Sequence, residues 1–125
     1  MPQRIQGCAR NGMNLHIDMK TREQTCIIDV RGEVDLYSSP KMREAIFSAM
    51  KQRPLPAIIV DLTHVTYTDS SGIATLVEGL QISQERQARF KLVGLSQAVL
   101  EVFQLARLET VFEIYPTLEA ALLSA

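Results

Sequence analysis

Several residue types are scarce in this sequence. It has no tryptophan, two cysteines and two histidines among its 125 residues. A structural zinc centre needs about four ligands at paired short spacings. Cys8, Cys26, His16 and His64 show no such pairing. The two cysteines could close one disulfide, but Cys26 lies inside an apolar run, which favours a buried free thiol. A reducing cytoplasm fits that reading. No apolar run approaches the ~18–20 residues of a membrane span. The opening MPQRIQGCARNG lacks the apolar core of a secretory signal, so direct membrane insertion is not expected. Neither sign of charge dominates: 13 basic residues face 14 acidic ones, for a net charge of −1. Nucleic-acid binders usually show a basic excess, and polybasic membrane anchors need a cluster. Neither partner is expected here.

What is present reads as one folded domain. A composition that is 46% hydrophobic and 22% charged argues against disorder, and the length suits a single domain. Residues 1–13 carry Arg4 and Arg10, no acid and no periodicity. A disordered N-terminal extension is expected there, with the domain over residues 14–125.

From residue 14 the pattern becomes regular. Leu15, Ile17 and Met19 alternate with polar residues, the mark of a half-buried strand. Residues 21–24 read as a polar turn and 25–30 as a β-branched hairpin partner that Gly32 ends or bulges. Ser38-Ser39-Pro40 reads as a serine cap with proline at the first helical position. Met42, Ala45, Ile46, Ala49 and Met50 follow at helical spacing until Pro54 and Pro56. Residues 57–60 form a short continuous apolar run, expected as a strand covered on both faces. A helix after Asp69 buries Ile73, Leu76, Val77 and Leu80. A strand over 90–93 ends at Gly94, and Ser96 caps a helix to about Leu108 with Val99, Leu100, Phe103 and Ala106 inward. A strand over 111–115 and a helix capped by Thr117 complete the chain. The expected fold class is therefore α/β: a mixed sheet of four to five strands with about four helices, in the order β-β-α-β-α-β-α-β-α.

The segment Thr66-Tyr67-Thr68-Asp69-Ser70-Ser71-Gly72 concentrates the chemistry. It joins a buried strand to a helix, the end of an α/β sheet where function usually sits. The simplest reading is a helix cap, with Asp69 or Ser70 accepting from first-turn N–H groups. A functional reading adds a phosphate on a serine, which would bring a charge of about −1.5 to −2. The helix start favours that charge and Asp69 opposes it. Asp69, His64 and Ser70 do not make a hydrolytic triad. They lie within one short stretch, whereas triad members converge from separate elements. No nucleophile elbow or phosphate loop occurs. No enzyme, cofactor or metal is expected.

These same residues carry a resemblance. Asp69-Ser70-Ser71-Gly72-Ile73 after Ile59-Val60-Asp61-Leu62 resembles the signature of STAS domains. Gly32-Glu33-Val34-Asp35, the stretch from Phe90 to Ser96, and Leu118-Glu119-Ala120-Ala121-Leu122 resemble further family elements, in order and without long insertion. Within that family the chain is similar to the small bacterial anti-sigma-factor antagonists. The resemblance implies a cytoplasmic binding protein that engages an anti-sigma factor with serine kinase activity while unphosphorylated. It implies release on phosphorylation of Ser70, reversal by a phosphoserine phosphatase, and a partner-binding surface of Asp35, Thr68, Asp69, Ser70, Ser71 and Gly72. Two other roles open to STAS-like proteins are an accessory subunit of an ABC-type envelope lipid transporter and a component of a stress-signalling assembly. The chain departs mildly from the family pattern at Ala74 and carries Gly79 inside the helix.

Overall fold

The computed structural model describes residues 14–124. Nine elements follow one another: β1 (Leu15–Arg22), β2 (Thr25–Val34), α1 (Ser39–Met50), β3 (Ala57–Thr68), α2 (Ser70–Glu85), β4 (Phe90–Val93), α3 (Gln97–Leu105), β5 (Glu113–Tyr115) and α4 (Leu118–Leu123). The order is the one expected. The proposed extension at 1–13, and Cys8 with it, lies outside the described residues.

One five-stranded sheet runs β1-β2-β3-β4-β5. β1 and β2 are antiparallel, and the other three pairs are parallel. This sequential order has a consequence. Parallel crossovers are right-handed, so three successive crossovers stepping the same way put their helices on one face. Residues of α1, α2 and α3, among them Met42, Ile46, Ile73, Leu76, Val99 and Phe103, indeed share one core with Ile28, Val60 and Leu92 of the sheet. Among the described residues the opposite face has only α4, whose Ala121 packs with Ile27, Ile59 and Val93. Ile58, Ile59 and Val60 are fully buried, as a strand covered on both faces requires.

Several boundaries differ from the sequence expectation. The hairpin turn is only Glu23-Gln24, both at positive φ, because a two-residue turn of that hand matches the twist of the strands it joins. β1 therefore runs on to Arg22. β2 continues through Gly32 to Val34, so the glycine does not end the strand; the two register irregularities flanking it each insert an extra residue on β3. β3 extends from the apolar run to Thr68. Its second half alternates less cleanly because two shifts against β2 turn consecutive residues, Thr63-His64 and Thr66-Tyr67, outward. α3 stops at Leu105, so Ala106 is exposed and Leu100 only half-buried. β5 begins at Glu113. Val111 is exposed, while Phe112 turns into the core and meets Phe103 edge-on at 5.5 Å between centroids.

Gly79 has a packing reason. A Cβ there would lie 3.0 Å from the Phe90 ring and 3.2 Å from Ile46 Cγ2. A bare backbone at this point lets α2 close on both β4 and α1. The described residues also confirm a buried free thiol at Cys26. Burial pushes its pKa up, against a weaker lowering by Gln52.

Candidate functional site

The site grows from the carboxyl ends of the two central parallel strands. β2 ends at Val34 and β3 at Thr68, and these residues are register partners. The Asp69 N–H donates to the Val34 carbonyl at 3.1 Å, extending the ladder by one bond and holding the two following turns side by side.

The first turn, Asp35–Ser38, is organised by Asp35. One carboxylate oxygen, Oδ1, accepts from the backbone N–H of Tyr37 and of Ser38, each at 2.9 Å, and from Ser38 Oγ at 3.1 Å. Ser38 Oγ also takes the Asp35 N–H at 2.9 Å and lies 2.8 Å from the Glu33 carbonyl. Ser38 is buried and occupies the cap position of α1, but its side chain makes no capping bond. The expectation of a serine cap followed by proline at the first helical position is thus corrected. Pro40 sits one position later, where it has no N–H to offer, and the Ser38 hydroxyl is engaged inside the preceding turn with the Asp35 N–H and the Glu33 carbonyl. Asp35 closes an Asx-type turn onto Tyr37 and Ser38 ahead of the helix, and the Lys41 N–H bonds the Ser38 backbone carbonyl at 3.0 Å.

The second turn is a single residue. Asp69 is the extended N-cap of α2, and its Oδ1 accepts from Ser71 N at 2.8 Å and Gly72 N at 3.3 Å. The sequence left Asp69 and Ser70 open as the capping residue; the geometry selects Asp69. Ser70 is then the first helical residue, exposed. Its hydroxyl has no capping work to do. Thr68 is buried beneath, and its Oγ1 donates to the Asp69 carbonyl at 3.3 Å. Ser71 is half-buried, and Gly72 is buried where a Cβ would collide with Thr68 Oγ1 and lie 2.7 Å from Val34 Cγ1. The missing side chain is what lets α2 leave the sheet directly over Val34.

All six sequence-derived site residues thus lie on the Asp35 turn, the end of β3, the Asp69 cap and the first residues of α2. Sequence reasoning missed two neighbours. Leu36 and Tyr37 are 65% and 64% exposed on the Asp35 turn, and Tyr67 of the Thr66–Gly72 segment is 50% exposed at the end of β3. Two large apolar residues directly after the strand alternation ends were the available signal. His64 is exposed mid-strand beside Arg31, roughly 20 Å of extended chain from Ser70. It cannot serve as the serine's base. Among the described residues no cluster of acids, histidines or cysteines could hold a metal.

Comparison with known proteins adds the following. The STAS domain model matches residues 16–121. The anti-sigma-B factor antagonist of Listeria monocytogenes is 34% identical over 103 residues, covering 82% of this chain and 90% of that protein. The corresponding antagonist of Bacillus subtilis is 28% identical over 102 residues, covering 82% and 92%. An anti-sigma factor antagonist from Mycobacterium paratuberculosis superposes with a TM-score of 0.77 at 25% identity, over 86% of this chain and 91% of that one.

Proposed function

Since the chain belongs to the STAS domain family, we propose that it is an anti-sigma-factor antagonist whose grip on an anti-sigma factor is switched at Ser70. The similarity to named antagonists over most of both chains supports this reading. The observation that carries it is the exposed Ser70 hydroxyl, unused by the fold, beside a rigid turn that displays Leu36 and Tyr37. Large apolar and aromatic side chains beside a polar rim make the anchors of a protein interface. A kinase can reach the hydroxyl without unfolding anything.

The switch works through the partner and leaves the fold nearly untouched. Asp69 already occupies the N–H groups of Ser71 and Gly72. A phosphate on Ser70 would gain little from the helix start, roughly 0.3–1 kcal/mol, and would sit beside the Asp69 carboxylate. The same phosphate pressed into an interface without a cation costs about 3–5 kcal/mol. That is about two to three and a half orders of magnitude in affinity. The enzymatic partners on this reading are an anti-sigma factor acting as serine kinase and a phosphatase that reverses it, all in the cytoplasm. No helix among the described residues is long and apolar enough to cross a membrane.

The test is incubation with the candidate kinase and ATP, followed by intact-mass and site mapping, beside binding titrations of three chains. One phosphate on Ser70, loss of binding in Ser70→Asp and retained binding in Ser70→Ala are expected. Equal binding by all three chains would refute the switch. Recovery of only transporter subunits in a pull-down would favour the envelope-transport role instead.

A further inference from the structure

The two edges of the sheet are unlike. β5 offers only Glu113–Tyr115, too short an edge to template anything. β1 offers eight residues, and its register with β2 is unbroken from Leu15 to Arg22, with no proline and no bulge. Among the described residues its outer side is unpaired in the sheet order. Edges of this length are normally blunted, because a row of free N–H and C=O groups recruits another strand.

Which backbone groups point outward follows from the ladder. Antiparallel partners alternate between pairs that exchange both hydrogen bonds and pairs that exchange none. The Glu33 N–H donates to the Asn14 carbonyl at 3.2 Å, so even-numbered β1 residues bond inward to β2 and odd-numbered ones point out. Lys41 confirms the parity by reaching around from α1 to the Leu15 carbonyl at 2.7 Å. Beyond it the carbonyls and N–H groups of Ile17, Met19 and Thr21 face outward. Beside them an open groove of about 720 Å³ runs between β1 and α1, with Ile17, Met19 and Phe47 among its lining. Met19 is 37% exposed although it lies on the core face of the sheet.

We propose that this edge is a self-association surface, and that a second copy of the chain pairs its β1 antiparallel to the first, about a twofold axis through Met19. Charge selects both the occupant and the register. Asp18 and Lys20 flank Met19 and point to the opposite face from it. With the axis at Met19, Asp18 stands across from the partner's Lys20, and Lys20 from the partner's Asp18. Moving the axis to Asp18 would oppose two carboxylates, and moving it to Lys20 would oppose two ammonium groups. Like charges directly across a strand pair are destabilising. The Met19 register also uses the outward groups. Met19 pairs with the partner's Met19 and Ile17 with the partner's Thr21, for about six ladder bonds. On the core face, the two Met19 side chains fill the groove beside Phe47. His16 lies across from the partner's Arg22, outside the central pairs. The Ser70 turn sits at the far end of β3 and is not used, so association and the proposed switch are separable.

Light scattering over a concentration series from about 10 μM to about 1 mM tests the proposal, with sedimentation equilibrium as a second measure. The mass of the native chain is expected to rise toward twice the monomer value. Asp18→Lys alone and Lys20→Asp alone should each weaken association by at least ~10-fold, since both charge pairs become repulsive. Mixing the two variant chains should restore a dimer, because every 18–20 contact is then attractive, and so should the double swap within one chain. Circular dichroism should be unchanged in each variant, as both positions are exposed. A native chain that stays monomeric throughout overturns the proposal. So does a dimer that tolerates both single reversals, or single variants that do not recombine.

Discussion

Gly72→Ala is the sharpest probe of how the site is built. At an ordinary helix position, alanine for glycine stabilises by about 1 kcal/mol. Here the added Cβ meets Thr68 Oγ1 in hard overlap and lies 2.7 Å from Val34 Cγ1 and 3.3 Å from Val34 Cβ. Neither neighbour can step aside cheaply. Both are β-branched strand residues with restricted χ1, both are buried, and the Asp69-to-Val34 bond ties their strand ends together. Overpacking of this kind costs about 1–3 kcal/mol. With two stiff neighbours the upper end applies, so after the helix-propensity gain the net loss is about 2 kcal/mol. The melting temperature should fall by roughly 5–10 °C. Urea unfolding should show a lower midpoint at unchanged slope, the sign of an intact but less stable fold. Two companions isolate the cause. Gly79→Ala meets only a ring edge and a methyl at 3.0–3.2 Å and should change stability by less than ~1 kcal/mol, because crowding and helix propensity offset. Gly72→Ala combined with Val34→Ala should cost less than the two singles summed, by ~1 kcal/mol or more, because the removed methyl makes room. Gly72→Ala at native stability, or strict additivity with Val34→Ala, would refute the packing argument.

Other consequences can be measured directly. Asp35→Ala leaves the N–H groups of Tyr37 and Ser38 without their acceptor. It should cost about 1–2 kcal/mol in denaturant titration and weaken partner binding, whereas Asp35→Asn, which keeps an oxygen in place, should lose less of both. Lys91→Met removes an ammonium that bonds the Ala121 and Ser124 carbonyls at 2.7 and 3.1 Å. Burial lowers the Lys91 pKa, with a like-sign contribution from Arg89, so relief of desolvation offsets part of the loss. A net cost of about 1–2 kcal/mol and faster amide exchange in α4 are expected. The Arg89 guanidinium holds the Glu113 carboxyl below the usual carboxylate range, chiefly by hydrogen bonding. A depressed folded-state pKa gives stability that is present above the unfolded value and lost as pH falls through the folded one. Glu113→Gln should therefore flatten the acid side of the stability profile, slightly, since that side chain is about two-fifths exposed.

The sequence by itself determined the element order and the type of every element, since period and capping are local properties. Alternation marked β1, the Ser96 and Thr117 caps opened α3 and α4 as expected, and the Asp69–Gly72 stretch marked the site. Local rules failed where a long-range contact overrode them. The second half of β3 looks like a polar loop because its bulges break the alternation, and only pairing with β2 makes it a strand. Ser38 looked like a cap, but its hydroxyl is held by Asp35 and Glu33 within the preceding turn. The tertiary structure alone decided that the Asp35 and Asp69 turns are neighbours, that Ser70 is left exposed beside Leu36 and Tyr37, and that β1 is an edge strand among the described residues. These are properties of strand order, and strand order depends on contacts between residues far apart in the chain. A helix or strand signal, confined to one turn or one pleat, carries no record of them.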